Sequence, residues 1–407
     1  MPPKMQENAQ GHAGPSILVL NSGSSSIRFA LYPQSQPLQR IASGRVERIG
    51  LENAAFTTTL TDRKQPGTKR ISAANHSAAL ESVFQWLDEA GFKSISAIGH
   101  RIVHGGPNYK DPERVTPKMI GELRRISPYD PEHMPAAIAL IEAVQQRYPG
   151  LPQVACFDTA FHRNMPRVAR LLPIPRRFDA QGVQRYGFHG LSYSYIMEEL
   201  TRVAGTKAAK ARLVLAHLGN GASLAAVRHG KSIDTSMAFT PTAGLPMSTR
   251  SGDLDPGLVW YLARTEGMTP ERFHNMVNRE SGLLGVSEIS PDMRDLAARA
   301  GEDVRAEEAI ALFCYQVKKW IGAFAAALGG LDTLVFAGGI GENSPPVRAR
   351  ACDGLKFVGL QLDKARNEAN GPIISVDGGR VTVRIIRTDE EQIIAREVLQ
   401  MLNKFKT

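Results

Sequence analysis

The chain has 407 residues, of which 43% are hydrophobic and 22% charged, a composition typical of globular proteins with a sizeable core. This length predicts about two or three domains, and the composition argues against disorder over most of the chain. The formal net charge is +9, but the basic residues are scattered and do not alternate with aromatic residues. The surplus therefore favours small anionic substrates over nucleic acid as the partner.

Neither a membrane segment nor a signal peptide is predicted. No apolar run approaches the roughly 20 residues that cross a bilayer, and the first residues lack the apolar core of a signal peptide. We expect residues 1–15 to form a disordered tail. Three widely spaced cysteines, Cys156, Cys314 and Cys352, match neither a disulfide framework nor a zinc site, which favours a cytoplasmic location.

Strands and helices alternate from the start of the chain. Residues 17–20 and 27–31 are mostly apolar and flank a turn rich in Gly and Ser, which predicts a strand, a tight turn and a second strand. Apolar residues then recur at helical spacing over 80–87, and Gly91 marks the end of that helix. Residues 95–103 predict the next strand.

The second half of the chain continues this alternation. Asp255 followed by Pro256 predicts the start of a helix, and apolar residues at helical spacing over 309–324 predict a long amphipathic helix. A strand is expected over 333–337, followed by a Gly-rich turn that ends at Asn343. This alternation predicts an α/β architecture.

One segment repeats the plan of another. Residues 213–227 and residues 17–31 both read as an apolar strand, a turn of Gly, Ser or Asn, and an apolar strand. The repetition predicts a duplicated domain with a cleft between the two copies. Coincidence between two ordinary hairpins is the alternative.

Three segments have the composition of phosphate-binding loops: NSGSSS, HLGNGAS and GGIGEN. Gly, Ser and Asn let backbone N–H groups approach an anion closely. None of the three has the P-loop spacing, and GGIGEN is not the dinucleotide fingerprint. Each alone is weak evidence, whereas three in an α/β chain favour phosphate binding.

Charged side chains and histidines accumulate where the predicted strands end. Phosphoryl transfer requires arginines, carboxylates that hold a hard cation, and hydrogen-bond donors. For any one residue alone, a surface ion pair or a buried structural histidine is the alternative. The candidates are Arg101 with His100 and His104, Asp158 with His162, Arg185 with His189, Arg250 with Asp253 and Asp255, and Glu390.

Together these segments resemble the acetokinase family, the family of the acetate kinases. The resemblance runs from about residue 17 to the end of the chain and rests on ten motifs in the family's order: NSGSSS, HRIVHGG, FDTAFH, RYGFHG, HLGNGAS, TRSGDLDP, SGLLGVS, DMRDL, AGGIGEN and TDEE. It implies the acetate and sugar kinase, Hsp70 and actin superfamily. The expected fold is α/β, a duplicated two-domain actin-like ATPase (ribonuclease H-like) architecture with an active-site cleft between the domains.

The resemblance also implies a domain division and an activity. Domain I is expected at 16–155 plus 388–407, and domain II, which binds the nucleotide, at 156–387. The implied reaction is reversible phosphoryl transfer from ATP to acetate, by direct in-line displacement, with Mg²⁺ (or Mn²⁺) as cofactor. A cytoplasmic homodimer that binds neither nucleic acid nor membrane is expected.

Residue roles follow from the same resemblance, position by position. The catalytic residues implied are Asp158, Arg101, His189 and Arg250. Metal placement is implied for Asn21 and Glu390, and substrate binding for Arg101, Val103, Phe188 and Pro241. Nucleotide binding is implied for Arg28, His217, Leu218, Gly219, Asn220, Gly221, Asp292, Met293, Arg294, Gly339, Ile340, Gly341, Glu342 and Asn343.

The chain departs from the family in the loop SPYDPEHMP, residues 127–135. Asp130 stands where the family has a histidine, and Tyr129 where it has a leucine of the acyl pocket. We hypothesise that the loop is rebuilt, with His133 restoring a donor; a rearranged loop without a catalytic part is the alternative. The further departures are Arg28 for Lys, Tyr193 for the second histidine after GFHG, and Asp389 for Asn.

Two other functions compete with acetate kinase. Propionate kinase shares the chemistry, but Tyr129, if it faces the acyl pocket, disfavours acids longer than acetate. Butyrate kinase fits less well. A non-catalytic nucleotide-binding module is the alternative from another class, although such a module has no need of Arg101, Asp158 and Arg250 together.

Overall fold

The computed structural model of the protein describes residues 14–23, 25–61 and 65–404. These residues fall into two compact units. The first unit contains the described residues up to 160 and those from 389 onward, and the second contains residues 161–388. The tail expected over residues 1–15 lies, up to residue 13, outside the described residues.

The first unit is an α/β structure. Its strands are β1 (Ser16–Ser22), β2 (Ser26–Pro33), β3 (Ala42–Glu47), β4 (Ala54–Leu60), β5 (Gly67–Ile71), β6 (Ile95–Ile102), β7 (Glu113–Arg114) and β8 (Gln153–Phe157). Its helices before residue 160 are α1 (His76–Glu89), α2 (Pro117–Ile126) and α3 (Met134–Arg147). The strands pair in the order β5-β4-β3-β2-β1-β6-β8-β7.

The second unit is also α/β. Its strands are β9 (Leu213–Leu218), β10 (Ala222–Arg228), β11 (Lys231–Thr235), β12 (Thr333–Ala337) and β13 (Thr382–Ile385). Its helices are α4 (Arg167–Arg170), α5 (Arg176–Ala180), α6 (Gly190–Ala209), α7 (Gly257–Thr265), α8 (Pro270–Asn275), α9 (Gly282–Ser287), α10 (Met293–Arg299), α11 (Val304–Leu328), α12 (Gly338–Asn343), α13 (Pro345–Cys352) and α14 (Lys364–Glu368). The last helix of the chain, α15 (Glu390–Lys404), belongs to the first unit.

The duplication predicted from the two hairpins is confirmed by the strand orders. The second sheet runs β11-β10-β9-β12-β13, and the first contains the same plan as β3-β2-β1-β6-β8. In each, three consecutive antiparallel strands are followed by two parallel strands. The fold is therefore a duplicated actin-like, ribonuclease H-like α/β architecture, as expected.

Local predictions are confirmed for the helix that contains residues 80–87, which is α1, and for the helix over 309–324, which is α11. Leu80, Val83, Phe84 and Leu87 are buried on one face of α1 and pack on the sheet, as the helical spacing requires. The chain leaves α1 through Gly91, whose φ of 84° is the left-handed conformation that glycine adopts at little cost.

One local prediction is wrong. The Gly-rich segment after β12 is the six-residue helix α12, whereas a turn was predicted. Its start requires glycine, because Gly338 has a φ of 76° and a Cβ there would lie 2.6 Å from the carbonyl oxygen of Leu218. The side chain of Asn343 then donates to the Gly339 carbonyl oxygen at 2.9 Å and stabilises the single helical turn.

A search for membrane-spanning helices among the described residues finds no helix with the necessary length and hydropathy.

Candidate active site

Four polar side chains of the first unit meet at one edge of its sheet. Asn21 lies near the end of β1, Arg101 near the end of β6 and Asp158 directly after β8, while Glu390 is the first residue of α15. The strands β1, β6 and β8 are parallel neighbours, so their carboxyl ends reach the same edge. Open α/β sheets bind ligands at this edge.

Arg101 connects this group. Its Nη2 and Nε donate to Oδ2 of Asp158 at 2.6 and 3.1 Å, and its Nη1 donates to Oδ1 of Asn21 at 3.3 Å. Burial would lower the pKa of Arg101, but the carboxylates of Asp158 and Glu390 outweigh it and raise that pKa above its ordinary value. The guanidinium is therefore permanently charged.

Only one carboxylate oxygen of Asp158 takes part in the pair with Arg101. The side chain is fully buried, and while Oδ2 accepts from Arg101, Oδ1 is buried without a hydrogen-bond partner among the described residues. A buried carboxylate oxygen without a donor costs roughly 1–3 kcal/mol, and more when it is charged. Such an atom favours a ligand, a water or a cation at this place.

Glu390 is held beside Asn21 and is easily protonated. Asn21 Nδ2 donates to Oε2 of Glu390 at 3.1 Å and reaches Oε1 of Glu391 at 3.4 Å. Burial, together with the charges of Asp158 and Glu391, raises the pKa of Glu390 to about 7, although Arg101 and Arg28 oppose that shift. Burial and the neighbouring negative charges destabilise the ionised form of Glu390. A cation bound beside the carboxylate would offset this effect.

The second unit builds a cradle of backbone and imidazole groups. The hairpin β9–β10 carries His217 in β9 and the glycines of HLGNGAS in its turn. A Cβ at Gly219 would lie 3.8 Å from both Nε2 of His217 and the backbone nitrogen of Gly339. A Cβ at Gly221 would lie 3.1 Å from Nε2 of His189. Side chains at these two positions would fill the space beside the imidazole nitrogens and the Gly339 backbone nitrogen, which the glycines leave open.

His189 is fixed in an unusual backbone conformation. Its φ of 59° is left-handed, which is uncommon for a residue other than glycine. Its ring stacks on that of His217 with centroids 4.3 Å apart, and its Nδ1 is hydrogen-bonded to Ser223 Oγ at 2.8 Å. The other ring nitrogen, Nε2, points toward Gly221.

Arg250 reaches the same cradle from an irregular loop. Its Nη1 lies 3.8 Å from the Cβ position at Gly221 and donates to the carbonyl oxygen of Pro241 at 3.2 Å. The loop is tied to the hairpin, because the backbone N–H of Ser248 donates to the carbonyl oxygen of Asn220 at 3.2 Å. The structure thus brings His189, His217 and Arg250 together.

The predicted nucleotide-binding stretches lie in the second unit, except for Arg28. Asp292 accepts from the backbone N–H of Arg294 and so caps α10, and the two side chains form an ion pair at 2.6 Å. Met293 between them is buried, while the Arg294 side chain is exposed. Arg28 lies in the first unit, directly opposite Asn21 in the β1–β2 ladder.

The turn residues 339–343 form most of α12. Glu342 Oε1 accepts from the backbone N–H groups of Gly338 and Thr388. Below the helix, the fully buried Arg348 donates to the Gly341 carbonyl oxygen at 2.9 Å. These bonds hold α12 rigidly against its own unit.

The predicted acyl-pocket residues are all buried: Val103 in the first unit, and Phe188 and Pro241 in the second. In the divergent loop, Asp130 is buried and pairs with Nδ1 of His133 at 2.9 and 3.1 Å. The Tyr129 ring packs edge-on against His104, with centroids 5.3 Å apart. The added carboxylate is therefore paired, and the catalytic part of His133 stays a prediction.

Three other candidates have structural contacts. His100 Nε2 is hydrogen-bonded to Gln153 at 2.7 Å, and His162 bridges Ser232 and the carbonyl oxygen of Phe188. Arg185 donates to three successive carbonyl oxygens, those of residues 235–237. These contacts are the ones expected of residues that stabilise the fold, which was the alternative to a catalytic role.

Sequence reasoning missed three polar residues that support the site. Ser223 is bonded to His189, Ser192 Oγ to Nδ1 of His217 at 2.7 Å, and Glu391 to Asn21. Each lies inside or beside a motif that was recognised. Hydroxyls and carboxylates next to motif residues are the signal that could have identified them.

This fold, with paired guanidinium and carboxylate groups at one sheet edge and a glycine cradle on the other unit, defines a phosphotransferase of the actin-like class. The sequence model of the acetokinase family matches residues 16–396. The chain belongs to the acetokinase family and is an ATP-dependent carboxylate kinase, a transferase.

Known proteins of this kind are similar to the chain over nearly its whole length. The propionate kinase of Citrobacter rodentium is 42% identical over 392 residues, which are 95% of this chain and 96% of that protein. The acetate kinase of Methylocella silvestris is 42% identical over 399 residues, which are 95% and 98% of the two chains. The crystal structure of Porphyromonas gingivalis acetate kinase is 36% identical, with a TM-score of 0.86, and the match covers 96% of this chain and 100% of that one.

Proposed function

We propose that the chain is an acetate kinase, which reversibly transfers the γ-phosphoryl group of ATP to acetate and yields acetyl phosphate and ADP by direct in-line displacement. The observation that carries the proposal is the buried Arg101–Asp158 pair beside Asn21 and Glu390. Binding of a nucleotide alone requires no such group, whereas transfer to an anionic acceptor requires positive charge and an ordered carboxylate.

The polar group of the first unit fits Mg²⁺ or Mn²⁺. Oxygen ligands are those that hard cations prefer, and Asn21 Oδ1, the Glu390 carboxylate and Asp158 Oδ1 offer them. Among the described residues, no cluster of three or more His, Cys, Asp or Glu side chains forms a cation cage. That agrees with Mg²⁺, which keeps waters and binds through one or two carboxylates and substrate phosphates. When bound, the cation neutralises charge on the nucleotide phosphates.

Arg101 and Arg250 bind and orient the reacting groups. A planar guanidinium matches both a carboxylate and the equatorial oxygens of a phosphoryl group, which lysine does not. Asp158 holds Arg101 in place through Oδ2. It need not act as a base, because acetate is already ionised near pH 7.

His189 and the glycine hairpin act on the phosphates. The Nε2 atom of His189 points into the space beside Gly221, where an N–H donor stabilises the charge that grows on the transferring phosphoryl oxygens. His217 and the residues 218–221 cradle the phosphates of the nucleotide. The α10 stretch 292–294 and α12 contact its adenosine, and Arg28 binds as a further cation.

Acetate is the favoured acid. The family resemblance assigns the methyl group of the acid to Val103, Phe188 and Pro241, which are each buried in their own unit, and Tyr129 is larger than the family's leucine. A methylene group changes such a preference by only about 1–3 kcal/mol. Propionate is therefore a weaker substrate in this proposal.

A homodimer in the cytoplasm completes the proposal. Helix α7 has no buried residue, although it carries Val259, Trp260 and Tyr261, of which Trp260 is 70% exposed. An apolar helix without a buried residue in the described part of the chain favours contact with a second copy. The three cysteines are free and buried, and burial raises their thiol pKa values, that of Cys352 to about 12, which fits a reducing compartment.

The test is acyl phosphate formation, trapped with hydroxylamine, from ATP, Mg²⁺ and either acetate, propionate or butyrate. We expect the highest kcat/KM with acetate. Arg250→Lys should lower turnover strongly, whereas Arg272→Lys, on the exposed helix α8, serves as the matched control. ATP binding without acyl phosphate from any acid would contradict the proposal and favour a nucleotide-binding module.

A further inference from the structure

Three side chains of the second unit form a buried hydrogen-bonded chain that ends at His189. The hydroxyl groups of Tyr193 and Ser223 lie 2.5 Å apart, and Ser223 Oγ lies 2.8 Å from His189 Nδ1. The side chains of Tyr193 and Ser223 are both fully buried. Because bulk water does not reach the hydroxyls, the direction of these hydrogen bonds is set by the groups themselves.

The chemistry of the two hydroxyl groups decides that direction. A phenol, with a pKa near 10, is a much stronger acid than an aliphatic alcohol, which favours Tyr193 as the donor and Ser223 Oγ as the acceptor in the contact between them. In this direction Ser223 keeps its own proton, which it can donate to Nδ1 of His189. A neutral imidazole that accepts at Nδ1 carries its proton on Nε2.

The charges around His189 oppose a protonated, cationic ring. His217 stacks on it at 4.3 Å, and Arg250 Nη1 approaches the same point beside Gly221 as His189 Nε2. Phe161 and His162 lie against the Tyr193 ring, with centroids 5.6 and 5.7 Å away. A positive charge on His189 would be unfavourable, because the Arg250 guanidinium approaches the same point beside Gly221.

We infer that Tyr193, acting through Ser223, is a positioning residue that keeps His189 neutral with its proton on Nε2. This form presents an N–H donor toward Gly221 of the phosphate hairpin and leaves no ambiguity about which nitrogen donates. The inference rests on the proposed function only for the identity of the acceptor, a phosphoryl oxygen. Tyr193 stands where the family resemblance places a histidine, so this arrangement is a property of this chain.

The test is NMR on the full chain labelled with ¹⁵N in the histidine rings, without nucleotide, between about pH 6 and pH 8. The His189 signals are assigned by their loss in His189→Asn. In the wild type we expect a protonated-type shift for Nε2 and an unprotonated-type shift for Nδ1, both unchanged across this range. An Nδ1-protonated ring, or a wild-type ring that titrates there, would overturn the inference.

Two variants test the part of Tyr193. Tyr193→Phe removes the phenolic donor that orients the Ser223 hydroxyl, so this hydroxyl can turn its proton away from Nδ1 and accept from a protonated ring, and the His189 signals should begin to titrate. Tyr195→Phe, two residues along α6, is the matched control and should behave as the wild type. If Tyr193→Phe leaves the His189 titration unchanged, Tyr193 has no positioning part.

Kinetics separate this inference from the proposed function. In Tyr193→Phe, the kcat for acetyl phosphate formation should acquire a pH dependence in addition to that of the wild type, at an unchanged KM for ATP. A wild type without activity would contradict the proposed function, while the NMR shifts would still decide the form of the ring. Should Tyr193→Phe fail to fold, Ser223→Ala is measured in its place, and the Nδ1 and Nε2 shifts of its His189 should then indicate a mixture of forms.

Discussion

The buried histidine in β6 makes the stability of the first unit depend on pH. Burial lowers the pKa of His100 from 6.5 to about 4, and the hydrogen bond to Gln153 only partly opposes that shift. Well above pH 6.5, His100 is neutral in both the folded and the unfolded state, so it does not make the free energy of unfolding depend on pH. Below that pH, the unfolded chain takes up a proton that the folded chain refuses, so the free energy of unfolding falls until the pH reaches the folded pKa. With these two pKa values, the loss at pH 5 is about 2 kcal/mol relative to pH 7.

The measurement compares the wild type with His100→Gln, which keeps an N–H donor but does not titrate. Trp86 reports on the first unit alone when Trp260 and Trp320 are replaced by Phe, because the chain has three tryptophans. Urea unfolding at pH 7 and pH 5 should show a loss that is smaller in the variant by about 2 kcal/mol.

A matched control uses a surface histidine. His229→Asn replaces an exposed residue whose left-handed backbone, with a φ of 54°, suits asparagine, and it should keep the pH dependence of the wild type. Equal losses in His100→Gln and the wild type, to within about 0.5 kcal/mol, would refute the reasoning. The other titrating groups are shared by all three proteins and cancel in the comparison.

Four further outcomes are expected. Arg101→Lys should lower kcat for acetyl phosphate formation by about 100-fold or more, since a lysine cannot reproduce the forked contact with Asp158. A loss of about tenfold or less, measured by hydroxamate trapping, would contradict this. Tyr129→Leu should shift the propionate-to-acetate ratio of kcat/KM upward by about tenfold, and an unchanged ratio would remove Tyr129 from the acyl pocket. His133→Ala should reduce turnover because Asp130 loses its imidazole partner, whereas near-normal turnover would limit the loop to a structural part. Trp260→Glu should convert the dimer to monomer in analytical ultracentrifugation, and an unchanged mass would place the interface elsewhere.

Much of the fold follows from local sequence patterns. The hairpins β1–β2 and β9–β10 were predictable because apolar strands flank short turns, and the parallel strands β6 and β12 because apolar runs end in polar loops. Helix α12 was not predictable in the same way. Its five residues after Gly338 include two more glycines, which favour turns, and the helical turn depends on the contact of Arg348 with Gly341.

The residues of the candidate site, like the elements of the fold, were predictable only in part. The sequence motifs pointed to Asn21, Arg101, Asp158 and Glu390, because each of these residues has a fixed place within a motif. They gave no indication that Asp130 would pair with His133. Such partners depend on where loops return in space, and one sequence carries no signal for that beyond the nearness of the two residues.

The first unit is completed by a segment that lies far from the rest of it along the chain. Helix α15, the last element, packs against β1 and β6 of the first unit, and it fits closely: a Cβ at Gly99 would lie 2.5 Å from Ile394 and 2.7 Å from Val398. Its first residue is Glu390. Both the cover of the first sheet and the carboxylate beside Asn21 therefore depend on one helix, which follows the whole second unit in the chain.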